Sequence, residues 1–523
     1  MGLYFDPVND SFLHDSRDPL YVDKTGLLEI LNQALFSSCR CIALSHARRF
    51  GKSQAAGMID AYYNCRKDSR ELFEGFEIAA EADFEEHLNR YHVIHIDVSS
   101  VADFHKEDLT DTIQRTLREE FANEISGDLH LNRSLPGLLY EIYHMTGRAF
   151  VIILDEWDCV IRNHADRPDL VHTYLQFLHG LFKSEESKSF LALAYITGIL
   201  PIKKIQDESA LNNFAEYTML SSKKLTRYFG FTEEEVRALC DHYQMDFSAV
   251  QNWYDGYQIS GLHMYNPNSV YRAMREGSLE AYWRNTSAFE TINSYITRNY
   301  HGLKEDILTM LAGGQIPVDT ETFQNDLSGI ESRDEVLTAL IHLGYLAYQE
   351  KTGKAYIPNF EVAKAYQSAL KKSGWTEVEK SISACDELLE AAIKGDAAKV
   401  AELIEEAQEA YTSVLRYHDE NSLSCVLTMA FFTAPAYYTI IRELPSGKGF
   451  ADLVFLPRPD CEDKPAMVIE LKYLQDADSA IRQIKERRYT GALKGYAGKL
   501  LLVGISYGRD KKHDCRIEAW KNE

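Results

Sequence analysis

A chain of 523 residues exceeds one ordinary hydrophobic core, and at roughly 100–200 residues per domain it divides into three or four units. Its 45% hydrophobic and 26% charged content is that of a soluble globular protein; no apolar run approaches the ~20 residues that span a bilayer, and the opening residues show no signal segment, so a cytoplasmic protein with no membrane partner is expected. The net charge of −23 excludes a protein that coats nucleic acid over its whole surface, because phosphate affinity comes largely from Lys and Arg.

In chain order, the first strong signal is a short apolar run at 41–45, followed by HARRFGKS and then a helical pattern to about residue 65. That is strand, loop, helix. Further apolar strands are expected at 93–99, 149–158 and 190–198, with helical stretches at about 103–125 and 170–183. Strands that are apolar throughout and alternate with helices imply a parallel sheet covered on both faces, so the first domain, 1–220, is expected to be α/β. Residues 221–330 read as a mostly helical extension, rich in Tyr and Asn, with turn clusters at 255–261 and 265–269. Within 331–415, a helix, short strand and turn over 333–371 suit a small winged-helix-like module. A solvated helical pair over about 376–415 then reads as a connector.

The last segment, 416–523, changes character: a helix at 419–432, strands at 437–444 and 450–456 joined by a turn at 445–449, a strand at 466–473, a helix at 478–490 and a strand at 499–506. This is a compact α/β unit with a mixed sheet. It holds 17 Lys and Arg against 15 Asp and Glu, a balance of +2, which leaves −25 on the other 415 residues. A polyanion is least repelled there. The nine cysteines include no CxxC pair, and Cys39 and Cys41 stand too close to be ordinary paired zinc ligands, so reduced thiols are expected.

A phosphate-binding loop needs backbone N–H groups at a helix N-terminus, a lysine reaching the outer phosphates and a hydroxyl for Mg²⁺. Gly51, Lys52 and Ser53 supply the second half of GxxxxGK[ST], preceded by Arg49 and Phe50, while His46 stands where the first glycine belongs. Arg48 and Arg49 either face phosphate or pair with acidic neighbours. About a hundred residues on, the apolar run 152–156 ends in Asp155 and Glu156, the place of a Walker B pair. Asp155 would then hold Mg²⁺ together with Ser53, and Glu156 would polarise the attacking water. Thr197, closing the fourth strand, occupies the place of a residue that senses the γ-phosphate.

Metal-assisted phosphodiester hydrolysis needs carboxylates converging on a cation, with a positive group near the attacking water. Glu470 and Lys472 lie two apart on one strand and so share a face. Asp452 lies on the neighbouring strand, and the Leu471 carbonyl is a further oxygen beside them. Asp452 and Glu470 are therefore the expected metal ligands. Glu420 upstream, and Gln483 with Arg487, Arg488 and Tyr489 downstream, either complete this centre or form a solvated helix face.

The motifs at 21–31, 48–53, 154–158, 196–198, 211–213, 229–236, 253–258 and 265–270 resemble an AAA-ATPase-like domain, and those at 420–427, 449–455, 468–472 and 483–489 resemble the PD-(D/E)xK nuclease domain to which it is typically fused. The resemblance covers most of the chain, in the family's order. It implies a P-loop NTPase followed by a restriction-endonuclease-like domain, with ATP and Mg²⁺ as cofactors and Mn²⁺ as an alternative at the nuclease centre. A loop without the first glycine fits the family, whose members commonly carry Arg-Pro where this chain has His46 and Ala47. The expected function is an ATP-binding, Mg²⁺-dependent nuclease, acting on DNA before RNA, gated by nucleotide state, with bacterial defence as a setting and homo-oligomerisation compatible with it. The alternative of another class is a nucleotide-dependent switch or scaffold with an inert nuclease-like domain.

Overall fold

The computed structural model describes residues 2–8, 10–104, 109–164, 167–202, 211–283, 302–311, 313–323, 329–372, 376–412, 431, 434, 437–446, 449–457, 461, 463–486, 498–508 and 512–520. Two compact units alternate along the chain: one comprises 1–239, 257–271 and 318–353, the other 240–256, 272–317 and 354–523. No helix among the described residues is long and apolar enough to cross a membrane.

The first unit is built on five parallel strands, β1 (Cys41–Ser45), β2 (His92–Asp97), β3 (Phe150–Asp155), β4 (Leu191–Gly198) and β5 (Ala215–Thr218), in the order β2-β3-β4-β1-β5. Side chains alternate across the sheet and fill two cores. Phe150, Ile152 and Leu154 enter one core with the helices Leu109–Glu124, Leu135–Thr146 and Pro168–Lys183. Val151 and Ile153 enter the other with Leu27–Ala34 and Lys52–Tyr63. Burial on both faces is why the central strands β1, β3 and β4 are almost wholly apolar, while the edge strands β2 and β5 carry His95 and Glu216. The expected strand at 93–99 ends instead at Asp97, whose carboxylate accepts the Ser99 N–H at 3.0 Å and starts the helix Val98–Phe104. A small antiparallel sheet, β6 (Phe231–Thr232), β7 (Tyr257–Ile259) and β8 (Leu262–Tyr265), completes this unit's regular strands with β10 (Ala347–Gln349).

The second unit contains the short strands β9 (Ile316–Pro317) and β11 (Lys354–Tyr356) and a five-stranded mixed sheet. That sheet runs β12 (Tyr438–Ser446), β13 (Gly449–Pro457), β14 (Ala466–Tyr473), β15 (Leu500–Tyr507) and β16 (His513–Trp520) in sequential order, with only β14 and β15 parallel. The helical pair Thr376–Lys394 and Ala397–Thr412 corrects the expectation of a solvated connector. Leu388, Leu389, Ala392, Val400, Leu403 and Ile404 pack with Met467, Ile469 and Val503 in the core on one face of the sheet. Spaced three and four apart, these residues form an apolar stripe that the many Glu and Lys around it obscure. On the opposite face, the helix Ala477–Glu486 packs Ile481 and Ile484 against Val454, Val468 and Leu502.

Candidate functional site

Two polar centres arise, one in each unit. In the first, β1 ends at Ser45 and the chain turns through 46–51 into the helix Lys52–Tyr63. Gly51 caps that helix at φ +88°, a left-handed conformation that glycine adopts without strain. Lys52 is buried, and its ammonium donates to the carbonyls of His46 at 3.0 Å and Ala47 at 3.1 Å, curling over its own loop. Ser53 is exposed beside it, as is the Arg49 side chain. Phe50 turns inward: it is fully buried, edge-on to Tyr257 with centroids 5.4 Å apart, and its carbonyl accepts the Gly230 N–H at 3.1 Å.

His46 is what the missing glycine becomes. It is buried, paired through Nε2 with the Ser222 hydroxyl, and stands 5.7 Å from the Phe229 ring, while its Nδ1 has no hydrogen-bond partner among the described residues. Burial, with the Lys52 charge and His342 adding to it, pushes the imidazole down to about 3, so the ring is neutral. A packed neutral imidazole thereby fixes the entrance of the loop. Asn266 adds a contact to the Arg48 carbonyl at 3.5 Å. Segments near 222, 230, 257 and 266 thus brace the loop.

At the ends of the central strands, Asp155 accepts the Thr197 hydroxyl at 2.6 Å and the Glu156 N–H at 3.0 Å. The expected β3 and β4 partners of the nucleotide centre are therefore together. Glu156 lies 3.9 Å from Lys52 and 2.7 Å from Arg162. Burial raises the Glu156 carboxyl and lowers the Lys52 ammonium, and each charge opposes the other's shift. Arg162, absent from the sequence reading, also holds Asp158 at 2.8 Å, and Asp158 in turn accepts the N–H groups of Ile199 and Leu200. Gly198 permits this crossing, since a Cβ there would lie 2.6 Å from Asp158 Oδ1. The helix start, Lys52, Ser53 and Asp155 together offer donors for phosphate and oxygens for Mg²⁺.

In the second unit, β13 and β14 pair through Leu453 opposite Ile469. One step further on, Asp452 accepts the Leu471 N–H at 2.8 Å through its side chain. Leu471, Ile469 and Met467 face the core shared with the helical pair, so alternation turns Glu470 and Lys472 to the other face. There Lys472 donates to Glu470 Oε1 at 3.0 Å, and Gln483 donates to the same oxygen from the helix Ala477–Glu486. Gly504, beside Glu470 on β15, lets that helix approach: a Cβ at this position would meet the Ala477 carbonyl at 2.5 Å. Asp452, Glu470, Lys472 and Gln483 are thus brought together. Glu420, Arg487, Arg488 and Tyr489 lie outside the described residues.

Glu470 is 1% exposed, and burial together with the Asp452 charge pushes its carboxyl up to about 7, against the pull of Lys472. Its Oε2 is buried and has no hydrogen-bond partner among the described residues. An orphaned carboxylate oxygen beside a second carboxylate is the donor set a divalent cation requires, so these residues fit one.

Residues 13–206 match a family described as a predicted AAA-ATPase, and residues 418–517 match the PD-(D/E)XK nuclease superfamily. A protein of Azotobacter chroococcum mcd 1, described as an uncharacterized protein in the vnfD 5′ region, is 26% identical over 280 residues, covering 52% of this chain and 52% of its own length. The chain therefore spans about half the length of that relative. Among solved structures, the Aeropyrum pernix ORC2 protein in ADPNP–ADP complexes aligns with a TM-score of 0.34 at 10% identity, covering 71% of this chain and 98% of that one. Cdc6p from Pyrobaculum aerophilum aligns with a TM-score of 0.26 at 12% identity, covering 70% and 98%.

Proposed function

We propose that this chain, which joins an AAA-ATPase-like domain to a PD-(D/E)XK nuclease superfamily domain, is a metal-dependent nuclease whose phosphodiester cleavage is gated by ATP. The single observation that carries the reading is the Glu470 carboxylate, buried beside Asp452 with Oε2 unpartnered.

Asp452 and Glu470 are the residues that would hold Mg²⁺ or Mn²⁺, which when bound supplies Lewis-acid polarisation of the phosphate and an acidified water. Lys472, anchored on Glu470, places a positive charge where negative charge grows on the scissile phosphate. Gln483 holds Glu470 Oε1, which leaves Oε2 as the oxygen that would serve a cation. DNA is the preferred substrate class, met by the charge-balanced C-terminal segment rather than by the acidic remainder.

In the nucleotide centre, Lys52 would exchange its contacts with the His46 and Ala47 carbonyls for phosphate oxygens, and Ser53 with Asp155 would hold Mg²⁺. Glu156 would align the attacking water, and Thr197, bonded to Asp155, would sense the γ-phosphate. The nucleotide-bound state then licenses cleavage, a behaviour suited to bacterial defence against foreign DNA.

The test is cleavage of plasmid and oligonucleotide by the full chain with Mg²⁺ or Mn²⁺, with and without ATP, for wild type and Glu470→Ala. Cleavage by wild type alone, changed by nucleotide, supports the reading. Equal cleavage by both proteins, or by neither under every nucleotide condition, ends it.

A further inference from the structure

Three distant segments meet at the start of β2. Phe5 bridges Ile94 in antiparallel fashion, and Asp6 donates its N–H to the Val93 carbonyl at 2.8 Å, laying the N-terminal arm along this edge strand. Past the end of the helix Lys52–Tyr63, Asn64 bridges Tyr91, and the Cys65 N–H reaches the Tyr91 carbonyl at 2.9 Å. Asp6, Cys65 and His92 are thereby placed side by side. Asp6 and His92 are buried and Cys65 is half-buried.

The separations have a recognisable geometry. Cys65 Sγ lies 3.7 Å from His92 Nδ1 and 3.8 Å from Asp6 Oδ2. Ligands about 2.3 Å (sulfur) and about 2.1 Å (nitrogen or oxygen) from a tetrahedral Zn²⁺ stand roughly 3.6 Å apart along the edges that include sulfur. The third edge, Nδ1 to Oδ2, is 2.7 Å, a hydrogen-bond length that opens when an ion enters.

The surroundings fix which atoms face inward. The Thr146 hydroxyl stands 2.9 Å from the Ile142 carbonyl and 3.2 Å from His92 Nε2. In the tautomer that metal ligation through Nδ1 requires, Nε2 donates to Thr146 while the hydroxyl donates to Ile142, and Nδ1 presents a lone pair. Asp6 Oδ1 is taken by the Val93 N–H at 2.7 Å, which leaves Oδ2 aimed at that lone pair. The 2.7 Å separation of Nδ1 and Oδ2 is that of a hydrogen bond whose single proton a metal ion would replace. A histidine whose remote nitrogen is held by a hydroxyl and a carboxylate whose second oxygen is held by the backbone are the outer contacts that orient metal ligands.

We infer that Asp6, Cys65 and His92 form a site for a thiophilic divalent cation of the Zn²⁺ class, separate from the nucleotide and nuclease centres. Its Cys₁His₁Asp₁ set leaves a fourth position for water. The ion would tie the N-terminal arm and the end of the Lys52–Tyr63 helix to the edge of the parallel sheet, closing loops between residues 6, 65 and 92.

The probe is Co²⁺ titrated into the full-length, metal-free protein. A thiolate-to-cobalt charge-transfer band saturating at one equivalent is expected; no cysteine is among the residues gathered at Asp452 and Glu470, so Asp452→Asn keeps the band and Cys65→Ser abolishes it. No band in wild type, or one undiminished in Cys65→Ser, overturns the site and leaves a proton as what holds Asp6 to His92. Should Cys65→Ser fail to fold, alkylation of Cys65 in wild type decides the matter by peptide mapping. Stoichiometric Zn²⁺ is expected to slow it at least tenfold, and an unchanged rate overturns the proposal.

Discussion

The Asp452 carboxylate accepts the backbone N–H of Leu471 at 2.8 Å, so one side chain both ties β13 to β14 and contributes charge to the candidate metal centre. The two roles separate by mutation. Asp452→Asn keeps an acceptor oxygen and should leave the unfolding midpoint nearly unchanged while reducing cleavage at least a hundredfold. Asp452→Ala should lose cleavage equally and also about 1 kcal/mol of stability, read by denaturant titration. Matching stability losses in the two variants would refute the division.

Glu470 gives the nuclease centre a pH signature. Its carboxyl is raised to about 7 in the folded, metal-free protein, so between its ordinary range near 4.5 and about 7 the folded state holds a proton that the unfolded chain has released. The favourable contribution is therefore complete below about 4.5 and fades as pH rises through about 7. Metal-free wild type should lose stability over that window relative to Glu470→Gln. A cation must displace the same proton, so apparent Mg²⁺ or Mn²⁺ affinity should fall about tenfold per pH unit below about 7, measured by calorimetry.

Lys52 tests the nucleotide centre. Its ammonium is held by the His46 and Ala47 carbonyls, contacts that phosphate oxygens would replace. Lys52→Ala should weaken ATP binding at least tenfold, about 1.4 kcal/mol or more, in an equilibrium titration with Mg²⁺ present. Unchanged affinity would remove Lys52 from the nucleotide site.

Thr197→Val removes the hydroxyl that Asp155 accepts at 2.6 Å while keeping the volume. Asp155 is 5% exposed, so loss of this partner should cost about 1–3 kcal/mol by thermal or chemical unfolding. Bound Mg²⁺–ATP should recover part of that loss, because the cation supplies Asp155 with a new partner.

Gly504→Ala probes the helix that presents Gln483. A Cβ would stand 2.5 Å from the Ala477 carbonyl, and backbone cannot yield as a flexible side chain does. The helix must shift away from Glu470, costing about 1–3 kcal/mol and cleavage together. Gln483→Ala alone should reduce cleavage with a smaller change in stability.

Strands β1, β3 and β4 of the first sheet were legible because burial on both faces writes a nearly unbroken apolar run, and β2 because Val93, Ile94 and Ile96 keep most of one. β5 and β16 were not. The former is a half-exposed edge, and the latter alternates exposed residues such as Asp514 and Arg516 with inward His513 and Cys515. The same contrast divides the sites. Lys52, Asp155 and Thr197 sit where strands end, and Glu470 with Lys472 shares a strand face, so spacing alone assembles them. Ser222 and Asn266 meet the loop from 176 and 218 residues away, and no periodicity encodes such contacts. The helical pair was misread for a different reason: its surface charges outnumber an apolar stripe whose spacing, once placed, is plainly that of a buried face.

The alternation of the two units along the chain bears on how the protein is made. The first unit includes residues 318–353, yet 240–256 and 272–317 of the second leave the ribosome before them. The ATPase-like unit should therefore close later than its parallel sheet is synthesised, unlike an N-terminal domain in an end-to-end fusion. Truncation after residue 239 should release a chain whose sheet is complete in sequence but whose unit is not. Nascent-chain pulse proteolysis would show protection of the early strands arriving only once translation has passed residue 353.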